Sequence, residues 1–325
     1  MLIRQELAAL RGDDRPQRKA PARRVAGRQA WERDGRGAAI LAELTALARG
    51  AELDDLPLLA ALFAPGDPAA RTVVEEVTGW LLAELAAQPL GQVPFRHHSD
   101  GTVTTLLLAR VGGATLALQA IDGLALARRP EPVSVSFAPV TAWDHVLAGH
   151  GWGEVVRLDG FDHGRARLVS QPVELAPGSV SHRLGGSAAQ ILRRVEGCLV
   201  TLKLQCRLGA GSVTREFRLG DGELLHQAAA SARDSRLELT AALLGRMGRA
   251  DAAPLLAAMA EEQGGPHLRW QALRECLGLD TARGFAALGV VAQRADDPLA
   301  GAALALRNQL IDKYPELGRM VPCPG

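Results

Sequence analysis

An α+β fold is predicted by three features of the chain. Apolar residues recur at helical spacing over residues 37–90, the period changes to alternation near residue 93, and helical spacing returns from Ser235. Four segments follow from these changes: an arm (1–36), a helical segment (37–92), an all-β barrel or sandwich (93–234) and a helical region (235–325).

The arm is basic and is expected to be flexible. Its core, RPQRKAPARRVAGR (15–28), has six basic residues, two prolines and no acidic residue. Proline breaks a helix there and no aromatic residue interleaves the charges, so a solvated tail is expected in preference to a nucleic-acid surface.

In the helical segment, AAILAELTALARG puts Ile40, Leu41, Leu44 and Leu47 on one stripe, and LDDLPLLAALFAPG stops at Pro-Gly. DPAARTVVEEVTGWLLAELAAQP opens on an Asp-Pro start signal and carries Val73, Val77, Trp80, Leu81 and Leu85 on its core face.

Strand-like runs at 102–110 and 114–121 flank Gly112-Gly113, a hairpin signal. Further short strands are expected at VSVSF, EVVRL, RARLVS, VELAPG, AQILRRVEG, CLVTLKLQC, VTREFRLGDG and ELLHQAA, with a turn at "VEG". Turn residues every 8–12 positions are the pattern of a sandwich or barrel.

From Ser235 onward, Asp234-Ser235 with Glu238 reads as a capping box. Ala242-Leu243 and Met247-Gly248 recur 30 residues later as Ala272-Leu273 and Leu277-Gly278. Short helices paired at such a period resemble HEAT-type repeats, with HLRWQALRECLGLD as the most similar segment. That resemblance implies a stack in which Ala272, Leu273 and Leu277 face inward beside a partly buried Trp270, and a face that meets a protein partner.

The stretch LAPGSVSHRLGGSAAQILRRVEGCLVTLKL (175–204) resembles the first motif of the cupin superfamily: a Gly, a His-x-His pair, then an acidic residue seven positions before a second Gly. With Gly178 and Gly197 as the two glycines, Gln190 takes the acidic slot, and the histidine slots hold Arg183 and Gly185, or Leu184 and Gly186. His182 is out of register by at least one residue, which in a strand turns a side chain to the opposite face. FRLGDGELLHQAAAS offers His226 for a second motif, without that motif's Pro or Asn. The resemblance implies a small β-barrel. A metal-dependent dioxygenase or isomerase would bind a divalent transition metal through His182, Gln190 and His226. The register of His182 points instead to two histidines too far apart to share an ion. Ile191, Val195, Leu199 and Leu202 are expected to supply barrel core.

Other histidines carry less. Adjacent His97 and His98 point to opposite faces of a strand. His145 and His150 are five apart in a segment read as a helical turn ending at Gly149, His163 lies in a turn, and His267 opens a helix. No P-loop, no G-x-G-x-x-G turn and no G-x-S-x-G elbow is present.

Composition narrows the partners. The chain has 325 residues, is 47% hydrophobic, and carries 37 basic against 36 acidic residues, so no global field recruits nucleic acid or an anionic membrane. Lysine is confined to Lys19, Lys203 and Lys313, and the Arg, Ala, Gly and Leu usage is that of a GC-rich bacterial genome. No signal peptide and no run approaching roughly 18 apolar residues is present, and Cys198, Cys206, Cys276 and Cys323 form no C-x-x-C pair, so a cytoplasmic protein is expected. The expected function is a non-catalytic interaction or small-ligand-binding module, in which the helical repeats bind a protein partner and the barrel is structural or holds a small ligand. The alternative is the metal-dependent enzyme.

Overall fold

The computed structural model describes residues 12–13, 26, 28–33, 35–87, 95–162, 164–207, 212–229 and 231–319. The arm lies mostly outside these residues, and His163 and Cys323 lie wholly outside them.

Helix α1 (Gly35–Ala48) turns Ile40, Leu44 and Leu47 inward, as its apolar stripe requires. Helix α2 (Pro57–Leu62) starts on proline, where a missing N–H costs nothing. Its next two amides donate to the Glu43 carboxylate of α1, Leu58 at 3.1 Å and Leu59 at 2.7 Å. Helix α3 (Ala69–Ala87) follows Asp67, whose carboxylate accepts from the Ala69 amide at 2.7 Å. Trp80 on α3 meets Phe95 edge-on at 5.9 Å.

Among the described residues ten strands follow: β1 (Arg96–Ser99), β2 (Val103–Val111), β3 (Ala114–Asp122), β4 (Ser134–Phe137), β5 (Val140–Asp162), β6 (Arg165–Leu175), β7 (Val180–Arg183), β8 (Ala188–Arg207), β9 (Val213–Arg218) and β10 (Leu224–Ala229). The β2–β3 hairpin turns at Gly112, whose φ of 53° is the left-handed backbone such a turn demands. A short helix, α4 (Gly123–Ala127), follows β3 and is capped by Asp122. Seven strands form one sheet in the order β1-β2-β3-β8-β5-β6, with β7 also paired to β5, and three form another in the order β10-β9-β4. Every pairing in the larger sheet is antiparallel.

The expected short strands prove to be long ones. AQILRRVEG and CLVTLKLQC join without a turn as β8. The segment around His145 is strand, not helix, and runs with EVVRL through the whole of β5. RARLVS and the first three residues of VELAPG both lie in β6, which passes through Pro172. Glycine explains the first two differences. Gly197 (φ 64°) and Gly149 (φ 82°) take left-handed backbone inside their strands, which kinks a ladder without ending it. The β5–β8 register shifts on both sides of Ala148. Gly149 lies so close to β8 that a Cβ there would sit 2.0 Å from the Cys198 carbonyl oxygen. Pro172 is tolerated because β6 is an edge strand.

The chain divides into two compact units: residues 1–208 with 216–225, and residues 209–215 with 226–325. In the first, the helices and the large sheet share one core, with Ile40, Leu44, Leu59 and Val73 in the same cluster as Leu108, Leu116, Leu202 and Leu204. Residues 37–87 therefore pack as part of the β unit. A second cluster, with Val135, Phe137 and Phe217, joins the two sheets, and a third gathers Val146, Leu175, Val195 and Leu199. Ile191, Val195, Leu199 and Leu202 are all buried, as expected.

The second unit contains α5 (Ala232–Arg246), α6 (Ala253–Glu261), α7 (Pro266–Leu279), α8 (Thr281–Ala292) and α9 (Ala300–Lys313). The cap of α5 is Ser231, whose hydroxyl accepts from the Asp234 amide at 3.3 Å. Asp234-Ser235 thus lies within the first turn; β10 ends at Ala229 and leaves Ser231 free to start the helix earlier than the capping-box reading has it. Ala272 and Leu273 are fully buried, with Leu277 and Trp270 packed beside them. Leu243, its counterpart in the 30-residue repeat, is 57% exposed. Buried Ala241 sets the inward face of α5, and two residues further on, at about 100° per residue, a side chain points outward. Arg269 on α7 forms a buried pair with Asp297, at 3.0 and 2.5 Å.

Candidate functional site

Alternation on the long strands gives the large sheet two different faces. His145, Leu202, Leu204 and Leu116 turn toward the helices; the Nδ1–H of His145 donates to the Leu62 carbonyl at 2.7 Å. Their neighbours Asp144, Val146, Thr201, Lys203, Gln119 and Ile121 turn the other way, into a cavity of about 170 Å³. Arg183, Gln190, Leu175, Leu192 and Leu199 complete the lining.

One end of this cavity is polar and charged. Asp144 stands directly opposite Lys203 across the β5–β8 ladder, and Arg183 arrives from β7 on the other side of β5. Lys203 Nζ lies 3.0 Å from Asp144 Oδ1, while the Arg183 guanidinium pairs with Oδ2 of the same carboxylate. Arg183 also donates to Gln190 and, at 3.3 Å, to Ser181; Lys203 donates to Gln119 at 3.3 Å. Asp144 is 7% exposed and Arg183 8%, so both charges are desolvated. Burial is the strongest single influence on the Asp144 carboxyl and pushes its pKa up. The charges and hydrogen bonds of Lys203 and Arg183 together outweigh it and hold the pKa below the ordinary value. The other end of the cavity is apolar, built from Ile121, Val146, Leu175, Leu192 and Leu199.

Of the three residues expected under the metal alternative, Gln190 alone lines this cavity. His182 is exposed and stacks on Trp143 with ring centroids 4.8 Å apart and planes 4° from parallel. The register slip places it on the opposite face from Arg183, which fills a histidine slot of the motif and does point inward. His226 is exposed on β10 and belongs to the second unit. Among the described residues no group of three His, Cys, Asp or Glu side chains is placed to hold a metal ion. The donor chemistry of the cavity also fits a divalent metal poorly. It presents two cations, amides, a hydroxyl and one carboxylate already shared by both cations.

The residues missed from sequence are Asp144, Lys203, Gln119 and Thr201. From the sequence, Lys203 alternates with leucines and shares a face with Thr201 and Gln205 in CLVTLKLQC, a pattern that reads as an ordinary solvent face and hides its place in the cavity.

The second unit holds a roomier apolar groove, about 740 Å³, lined by Trp270, Leu277, Leu306, Leu310, Tyr314 and Leu317 among others. It carries no comparable charge cluster. Among the described residues no helix is long and apolar enough to cross a membrane.

No protein-family model matches the chain, and no curated protein matches it. Solved structures resemble part of it. A cupin superfamily protein from Desulfitobacterium hafniense DCB-2 is 16% identical over 34% of this chain and 83% of that one, with a TM-score of 0.23. Ectoine synthase from P. lautus is 13% identical over 34% and 68%, also at 0.23. The 7S globulin of Momordica charantia is 11% identical over 38% and 35%, at 0.27. At TM-scores of this size the likenesses say nothing of what the cavity holds.

Proposed function

We propose that this chain is a non-catalytic small-ligand-binding protein, with a cupin-like sheet structure enclosing the ligand. The observation that carries this reading is the cavity itself: a partly open space with one charged, hydrogen-bonding end and one apolar end, which is the composition of a recognition site. The one carboxylate in the lining is held by Arg183 and Lys203, which leaves it poorly placed to act as a general base. A metal-dependent reaction has little support from this donor set. On the same reading the helical region is a HEAT-like stack that presents a face to a protein partner. The even spacing of the helix starts at Ala232, Pro266 and Ala300 supports this part.

The test is thermal unfolding of the full chain against a panel of small metabolites. At least one should raise the Tm in a saturable way and be recovered chemically unchanged. Leu199→Phe, which fills the apolar end, should abolish that rise. Conversion of the bound compound would overturn the non-catalytic reading.

A further inference from the structure

We propose that the cavity takes a short aliphatic monocarboxylate, its head group between Arg183 and Lys203 and its body against the apolar wall. This rests on the cavity being a ligand site and adds the chemical class of the ligand. The argument begins with charge. Three formal charges line the space: Asp144 is negative, and Arg183 and Lys203 are positive. One carboxylate cannot neutralise two cations, so the buried cluster retains a single positive charge. Asp144 and Arg183 are buried and the Lys203 side chain is 19% exposed, so the surplus charge is only partly solvated and one monovalent anion offsets it.

Donor geometry agrees. An ammonium has three N–H groups and a guanidinium five. Among the described residues Lys203 contacts Asp144 and Gln119, and Arg183 contacts Asp144, Gln190 and Ser181. Both cations therefore keep N–H groups for a further acceptor. The planar fork of an arginine matches the two oxygens of a carboxylate. A phosphate dianion would exceed the surplus charge and bring a second negative charge against Asp144.

Size and polarity set the rest of the molecule. The volume of about 170 Å³ is well under the roughly 300 Å³ at which drug-sized sites begin. Val146 and Leu199 belong to a small apolar cluster distinct from the main core, with Ile121 and Leu192 against it. A short hydrocarbon body satisfies that wall and a polar one does not. Gln190 and Leu192 also line a cleft of about 600 Å³ beside residues 126–136, so this pair borders both spaces.

Calorimetric titration of the full chain at pH 7 tests the assignment, with sodium butyrate, butyramide and sodium phosphate as probes. Butyrate should saturate at one per chain, butyramide should bind at least tenfold more weakly, and phosphate should not saturate. Lys203→Met should weaken butyrate by about tenfold or more and bring acid and amide to parity, since it leaves Asp144 and Arg183 as a neutral pair. Should that variant fail to fold, the acid-to-amide ratio in the parent decides alone. Equal binding of butyrate and butyramide, both blocked by Leu199→Phe, would keep the ligand site and overturn the carboxylate assignment, as would saturable phosphate binding. Binding of none of the three would overturn the assignment; failure of the whole metabolite panel as well would overturn the ligand site.

Discussion

Asp144→Asn is the perturbation whose consequence follows most directly from the charge cluster. The substitution preserves shape and removes the one negative charge between two cations, at a side chain 7% exposed to solvent. Breaking a buried ion pair from one side costs about 3–5 kcal/mol, because the partner stays buried and uncompensated. In a unit of about 200 residues each kcal/mol moves the Tm by about 2–4 °C, so a fall of about 6–20 °C is expected. Adding Lys203→Met to the variant should recover part of this loss, since it removes one stranded cation. Acid titration gives an independent reading. The folded carboxyl has its pKa below the unfolded value of about 3.9. Its contribution is therefore complete above that value and lost as pH falls through the lower folded pKa. Asp144→Asn should flatten this acid limb of the stability profile. Urea unfolding monitored by tryptophan fluorescence measures both effects. A loss under about 1 kcal/mol, the range of a surface pair, would refute the claim that the cluster is desolvated.

Three further outcomes test other parts of the structure. His145→Leu leaves the Leu62 carbonyl without its buried partner and should cost about 1–3 kcal/mol in urea unfolding. Leu273→Ala, at a fully buried position, should cost about 2–5 kcal/mol and raise hydrogen exchange in α6 and α8 as well as α7 if the helices form one stack; exchange confined to α7 would argue against a stack. Glu238 has its pKa raised by burial and by Asp234, and its Oε1 has no partner among the described residues. A carboxyl of this kind loses stability as pH rises through its unfolded and then its folded pKa, so Glu238→Gln should stabilise the chain at pH 7 by up to about 1 kcal/mol and leave it unchanged at pH 3.

What the sequence made legible was periodicity. The stripe of α1, the Asp-Pro start of α3, the Gly112 hairpin and the burial of Leu273 all follow from local rules acting on local residues. Strand length did not, because Gly149 and Gly197 read as turns and serve as kinks; a positive φ is common to both uses, and only the partner strand distinguishes them. The site was half legible. Gln190 lines the cavity, and His182 lies stacked on Trp143 on the face opposite Arg183. Asp144 and Lys203 stayed hidden because they are far apart in the chain, and their pairing depends on the register of two long kinked strands. Leu243 shows the opposite failure: a sequence echo of Leu273 at a position the helix faces to solvent.

Native mass spectrometry of the chain purified at neutral pH without chelator, followed by metal analysis, bears most directly on the ligand-binding claim. One small organic adduct per chain, absent from Leu199→Phe and accompanied by far less than one equivalent of transition metal, is the predicted result. Stoichiometric iron, zinc, manganese or nickel that disappears in His182→Ala and in His226→Ala would contradict it.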